Sequence, residues 1–467
     1  MTQLAAAEGA VSRHYMFDHA WLAEGWRRDV RVTVADGVIT ALSADAPRQG
    51  AEGAERVAGL AVPGLPNLHC HAFQRGLAGL AERRGPAGDS FWTWRDVMYR
   101  FLGRLTPDDV EAIAALAYVE MLERGFTTVG EFHYLHHGAD GAPHAELGEM
   151  AFRIAAAAGE TGIGLTLLPV LYGYAGFGGQ TPTQGQRRFI NDPERFLRLV
   201  ERARAACTPL PGAVVGIAPH SLRAVTPETL RAVLDATKGG PVHIHIAEQT
   251  KEVNDCIAWC GQRPVEWLLD HAPVDDRWCL IHATHMTADE TKRMAHAHAV
   301  AGLCPLTEAS LGDGVFNGEA YLAAGGRFGV GSDSNIEIDA PGELRMLEYS
   351  QRLMHRARNV MTTQEGESTG RRLFKESLTG GAQALGRPIG ELAVGRRADI
   401  VVLDAEHPDF AGASSDHWLD AWIFSAGRDA VQTVFTSGEK VVENGRHRRH
   451  AEVHARYRAA MKRLLDA

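Results

Sequence analysis

Eight short apolar runs, at residues 60–68, 127–132, 164–171, 213–218, 242–246, 278–281, 300–303 and 328–331, recur between about residues 60 and 360, each giving way to a polar or histidine-bearing segment. Between them lie stretches of helical character, for example 107–124, 146–161, 193–206, 227–236 and 288–299. Several open on Thr106-Pro107, Asp192-Pro193 or Thr226-Pro227, where proline fits a first helical turn that has no use for its missing N–H. Strands separated by helices pair in parallel, and eight of them can close on themselves. The pattern predicts an α/β chain whose centre, residues 61–385, is a TIM-like (β/α)8 barrel.

The flanks read differently. Residues 29–43, 391–403 and 431–442 have strand character with turns at Asp36-Gly37, Gly395 and Ser437-Gly438, the first being a hairpin signal. Residues 1–60 and 386–467 are therefore expected to build one small β-sandwich from both chain ends, with the basic stretch 446–450 as a solvated face. A chain of 467 residues, 45% apolar and 23% charged, has ample material for such a core. Glycine (50) and proline (20) follow no repeat, and no apolar stretch approaches the roughly 20 residues of a membrane helix. Lys+Arg 48 against Asp+Glu 58, net charge −10, with no long basic run, argues against nucleic acid as partner. The first fifteen residues carry Glu8, Arg13 and His14 and lack the pattern of a secretory leader, so a cytoplasmic location is expected. Six scattered cysteines form no CxxC pair, which speaks against a disulfide framework or a zinc knuckle. A homodimer is the expected assembly for a barrel of this size.

Histidine is abundant, at 22 residues, and its placement is chemical. His69 and His71 follow the first run as HCH; two residues apart on a strand, they face one way and can converge on an ion. The fifth run, VHIHIAEQ, ends on His245 with Glu248 three residues on, close enough to reach the same cavity. His243, one layer deeper, reads as structural. The sixth run delivers His282 and the eighth Asp333. Any one of these has a bland reading as a cap or a satisfied core group, but four strand ends bearing HxH, HxxE, H and D fall where barrel enzymes place their sites. His69, His71, His245 and Asp333 offer three nitrogens and one oxygen, a set suited to one Zn2+ and able to accept Fe2+.

With these residues in place the chain resembles the amidohydrolase superfamily, whose fold is a metal-dependent hydrolase barrel. Its two-metal members carry a lysine after the fourth strand; here VVGIAPHSLR has His220 and no lysine, so the resemblance implies a single ion, as in the deaminases. An ion of this kind supplies hydroxide at neutral pH. Asp333 would accept the water's proton, Glu248 would move a proton to the nitrogen of a C=N substrate, and His282 would orient the water and the developing charge. The segments HCHAFQR, SFWTWR, GEFHYLHH, APHSLRAV and HIHIAEQ resemble the branch of the superfamily that acts on a formimino dicarboxylate of histidine breakdown. That resemblance, covering nearly the whole chain, implies hydrolysis of N-formimino-L-glutamate to N-formyl-L-glutamate and ammonia. It implies that Gln74 and Tyr134 bond the substrate and that Arg95, His220 and Arg223 hold its carboxylates. Cys70 reads as packing and Asn335 as close enough to touch substrate. The rival readings are an aminohydrolase of a purine or other heterocycle, which the paired arginines disfavour, and a non-catalytic metal-binding scaffold, which would need neither Glu248 nor His282.

Overall fold

The computed structural model describes residues 12–46, 53–85 and 88–466. The first eleven residues, on which much of the expectation of no leader rests, lie outside the described residues.

The chain begins with strands β1 (Arg13–Leu22), β2 (Gly25–Ala35), β3 (Val38–Ser43) and β4 (Glu55–Pro63). The β2–β3 hairpin turns at Asp36 and Gly37, with φ of 51° and 78°, the twist-matched turn that Asp-Gly favours. The barrel then takes β5 (Leu65–Cys70), β6 (Phe126–His133), β7 (Gly164–Leu171), the short β8 (Val214–Val215) and β9 (Ala218–Pro219), β10 (Val242–Ile246), β11 (Trp278–His282), β12 (Val300–Leu303) and β13 (Arg327–Val330). The chain returns to the first sheet with β14 (Ile400–Leu403), β15 (Val431–Thr436), β16 (Glu439–Glu443) and β17 (Arg446–His447).

In the barrel every pairing is parallel, in the order β10-β11-β12-β13-β5-β6-β7-β8, with β9 also on β7. Bridges Ile217↔Val242 and Ser221↔His245 join the 214–221 segment to β10 and close the ring, making eight staves. β5, β6, β7, β10, β11 and β12 are buried at every residue, as expected of parallel strands covered on both faces. The helix starts follow their signals. Thr106 caps Pro107–Glu123 and receives a bond from Asp109 N while Asp109 Oδ2 accepts from Thr106 N at 2.9 Å, a reciprocal cap worth about 1 kcal/mol. Pro227–Ala236 opens on Thr226 in the same way, and Pro193–Cys207 opens on Asp192, whose side chain accepts from Arg195 N.

Both chain ends share the eight-stranded sheet β17-β16-β15-β14-β4-β1-β2-β3. It curls until Val38 bridges Arg397 and Ile39 N donates to Arg396 O at 2.9 Å, enclosing Phe17, Val32, Ile400, Val402 and Phe435. Three details depart from the sequence reading. The run at 60–68 divides at Gly64: β4 pairs with β1 and β14 while β5 enters the barrel. A Cβ at Gly64 would lie 2.2 Å from the Thr127 side chain, so glycine lets the chain pass between the two sheets. The run at 213–218 is interrupted at Gly216, which lies against Pro241 O. The stretch 446–450 is not simply a solvated face, because His447 is buried with Nε2 2.9 Å from Thr161 O.

Candidate functional site

The chemistry-bearing residues gather where the barrel strands end. His69 lies within β5 and His71 just beyond it, His245 in β10, His282 at the last position of β11, and Asp333 three residues past β13. All are buried, between 0% and 6% exposed. Two backbone devices place them. Asp333 N donates to His69 O and His71 N to Asp333 O, both at 3.0 Å, continuing the β5–β13 pairing. A Cβ on Gly331 would stand 2.6 Å from His69 O, so only glycine lets the strands approach this closely. Left-handed residues then turn the chain inward: Ala247 (φ 51°), His282 (φ 67°) and Asp333 (φ 43°). For non-glycine residues this is stored strain of the sort that collects at functional sites. The turn at Ala247 swings Glu248 to the cavity side of His245.

His69 Nε2 and His245 Nε2 stand 3.1 Å apart, and Asp333 Oδ1 is 3.4 Å from His69 Nε2 and 3.3 Å from His71 Nε2. His71 Nδ1 faces Phe132 O at 2.9 Å and His245 Nδ1 faces His220 O at 3.0 Å. Each Nδ1–H therefore donates to a carbonyl, leaving the Nε2 lone pair aimed at the centre. Burial pushes the His69 imidazole down to about 3 and lowers His71 and His245 as well. Burial alone would raise Asp333, but bonding from His69 and the fields of His69, His71 and His282 hold its carboxyl well below the usual range. Neutral imidazoles converging on an ionised carboxylate, with one donor atom of each within 4.8 Å of the others, fit a divalent ion.

Beside this set, His282 Nε2 is 3.8 Å from Glu248 Oε1 and 3.9 Å from Asp333 Oδ2, and its Nδ1 is 3.1 Å from Glu308 Oε1. Burial opposes protonation of His282, but the three surrounding carboxylates outweigh it and push the ring up to about 10. Burial pushes Glu248 up to about 7 against the pull of His282 and Arg223.

One cavity is lined by His71, His245, Glu248, His282 and Asp333 and also by the expected Gln74, Arg95, Tyr134, His220 and Arg223, while His69 lies fully buried beneath. Gln74 Nε2 donates to Tyr134 Oη at 2.8 Å, leaving its Oε1 shielded and unbonded. The helix Phe91–Leu102 presents Arg95, whose guanidinium lies 4.5 Å from the Trp92 ring centre, with Arg223 5.9 Å from the same ring. The Nε of each arginine is shielded and has no hydrogen-bond partner. His220 stacks obliquely on Tyr172 at 4.4 Å, and burial followed by the Arg223 charge keeps it neutral, well below its usual range.

Sequence reasoning did not find Trp94, Tyr99, Tyr172 and Phe189 in the wall or Glu308 behind His282; Tyr172, directly after β7, carried a strand-end signal, whereas Glu308 carried none. Asn335 is not at the substrate surface: it is fully buried, and its Nδ2 donates to His71 O and Asp333 O at 3.0 Å each, tying the two ligand-bearing strand ends together. Cys70 packs against that amide at 3.4 Å, and His243 Nε2 is 2.8 Å from Ala384 O, in a structural position.

The sequence model described as the amidohydrolase family matches residues 60–441, and that of the N-terminal domain of formimidoylglutamate deiminase HutF matches residues 18–56. A formimidoylglutamate deiminase of Pseudomonas aeruginosa is 53% identical over 92% of this chain and 94% of its own. A crystal structure of an amidohydrolase from Brucella melitensis superposes with TM-score 0.92 at 54% identity, covering 97% of this chain and 100% of that one. An adenosine deaminase from Xanthomonas campestris with bound zinc shares the fold at TM-score 0.80 and 22% identity, covering 97% of this chain and 98% of that one. A barrel carrying this donor set, with relatives matched along nearly its whole length, belongs to the amidohydrolase family of metal-dependent hydrolases and, within it, to the formimidoylglutamate deiminases.

Proposed function

We propose that the chain hydrolyses the formimino group of N-formimino-L-glutamate, yielding N-formyl-L-glutamate and ammonia, with His69, His71, His245 and Asp333 holding one Zn2+, a site that Fe2+ also suits. The observation that carries the reading is the pairing, in one cavity, of that donor set with two arginines whose Nε atoms are shielded and have no hydrogen-bond partner. A shielded N–H without a partner is costly, and a substrate with two carboxylates supplies an acceptor for both arginines, in bidentate geometry.

The ion, when bound, supplies hydroxide at neutral pH. Asp333 takes up the proton of the attacking water on its carboxylate. Glu248, held near 7 by burial, can carry a proton at neutral pH and passes it to the imino nitrogen, making the formimino carbon electrophilic; a second transfer lets ammonia leave. His282 directs Nε2–H toward the charge that develops there, its orientation fixed by Glu308 on Nδ1. Arg95, Arg223 and His220 hold the carboxylates, and Gln74 and Tyr134 fix the backbone end so that the formimino carbon faces the ion. The six cysteines are free thiols, which suits a reducing cytoplasm, and no helix among the described residues is long and apolar enough to cross a membrane.

The test is ammonia release by the Zn2+-loaded protein from N-formimino-L-glutamate, beside N-formimino-L-aspartate, guanine and adenosine. Turnover of the glutamate compound alone is expected. Turnover of a heterocycle in its place would overturn the substrate, and silence on all four would overturn catalysis.

A further inference from the structure

Away from the pocket, a second set of nitrogen and carboxylate donors meets where the C-terminal helix His450–Asp466 lies on the helix Pro107–Glu123. His450 and His454 are four residues apart on one helix, so their rings share a face; the ring centres are 3.9 Å apart and the planes tilt by 25°. Glu123, the last residue of its helix, faces them with Oε1 2.7 Å from His450 Nδ1. One donor atom from each of the three lies within 4.8 Å of the other two. His454 Nε2 is shielded from solvent and has no hydrogen-bond partner, a state that folded proteins avoid unless something else occupies the position.

We propose that Glu123, His450 and His454 form a second metal site, separate from the pocket, for a divalent ion of the borderline class such as Zn2+, Co2+ or Ni2+. Two imidazole nitrogens and one carboxylate oxygen suit these ions and not the oxygen-seeking Mg2+ or Ca2+, and water completes the coordination. Burial, with repulsion from His450, lowers His454, leaving its lone pair free. The ion takes the place of the proton that His450 Nδ1 shares with Glu123. His450 Nε2, now 2.9 Å from Arg446 Nη1, then carries the ring's proton, and the exposed Arg446 turns out to solvent.

The location indicates what the site does. Glu123 precedes β6, so the cluster lies at the end of the barrel where strands begin, opposite the catalytic end. That end of a barrel carries stability, not catalysis. An ion there clasps residue 123 to residues 450 and 454 and closes a very long stretch of chain.

The experiment uses the full-length protein with its pocket already filled by Zn2+, desalted and titrated with Co2+. Visible absorption, elemental analysis and melting temperature are followed. About one further Co2+ per chain should bind with the pocket Zn2+ retained and the melting temperature raised. His454→Ala should lose the added Co2+ and the thermal gain while releasing ammonia at the wild-type rate. Glu123 Oε1 also accepts from His447 N at 2.9 Å; Glu123→Gln, which keeps the shape and that acceptor, should weaken Co2+ about tenfold or more. Wild-type protein that takes up no Co2+ beyond its pocket would overturn the site, as would His454→Ala and Glu123→Gln variants that bind it as tightly as wild type.

Discussion

Glu248 has its carboxylate oxygen 3.8 Å from His282 Nε2 and shares its cavity with two arginines, so exchanging it for its amide removes a proton carrier and almost nothing else. Glu248→Gln should retain metal and fold while turnover falls about 10²- to 10⁴-fold; metal analysis beside an ammonia assay decides it, and a wild-type rate would remove Glu248 from the mechanism. Arg223→Ala and Arg95→Ala remove charge-assisted bonds worth about 1.5–3 kcal/mol each, so KM should rise about 10- to 100-fold in either, and an unchanged KM in both would defeat the dicarboxylate reading. The clustering of His69, His71, His245 and Asp333 was legible because a strand end converts sequence spacing into direction: HxH puts two rings on one face. Glu308 was illegible because its 3.1 Å contact with His282 joins residues on different elements, with nothing in the local sequence to announce it. Asn335 misled for a related reason, since proximity to Asp333 in sequence says nothing of which way a left-handed residue (φ 56°) points.

Among the elements, β5 and β13 bear most directly on the site. Gly331 lets their backbones meet at His69, so Gly331→Ala must push the strands apart by a few tenths of an ångström or more and spread the donors. The variant should fold with a lowered melting temperature and lose metal during dialysis that leaves wild type loaded, with metal content as the readout. Helix starts were legible down to the residue at Pro107, Pro193 and Pro227, because proline and its capping neighbour act locally. The Leu60–Leu68 run read as one strand because apolarity cannot reveal a change of sheet; Gly64 marks it only once Thr127 is in place. The helix Phe91–Leu102 was visible as an aromatic segment, yet its role as the pocket's wall depends on where the barrel sets it.

Across the whole molecule, several histidines are buried neutral away from the ion. Burial drives His133 down to about 3 and His136 well below its usual range. The unfolded chain binds these protons below about 6.5 and the folded one does not, so stability rises with pH from about 3 to 6.5 and levels off above. Urea midpoints measured across that window should fall steadily toward acid. His133→Leu should flatten the slope, since neither ring nitrogen of His133 has a partner to lose; an unchanged slope would assign the acid sensitivity elsewhere. The fold class was legible because eight repeated units over-determine a ring, whereas the curl of the terminal sheet was not, because its two halves lie more than three hundred residues apart. That separation also sets an order of events during synthesis. Every residue proposed to hold the catalytic ion, from His69 to Asp333, leaves the ribosome before β14, the strand that must dock on β4. A nascent chain can thus complete its barrel while the edge of β4 still lacks its partner. Arrival of residues 400–403 seals that edge, so a prematurely terminated chain is marked for chaperones and proteases by an open strand, however well its catalytic end is formed.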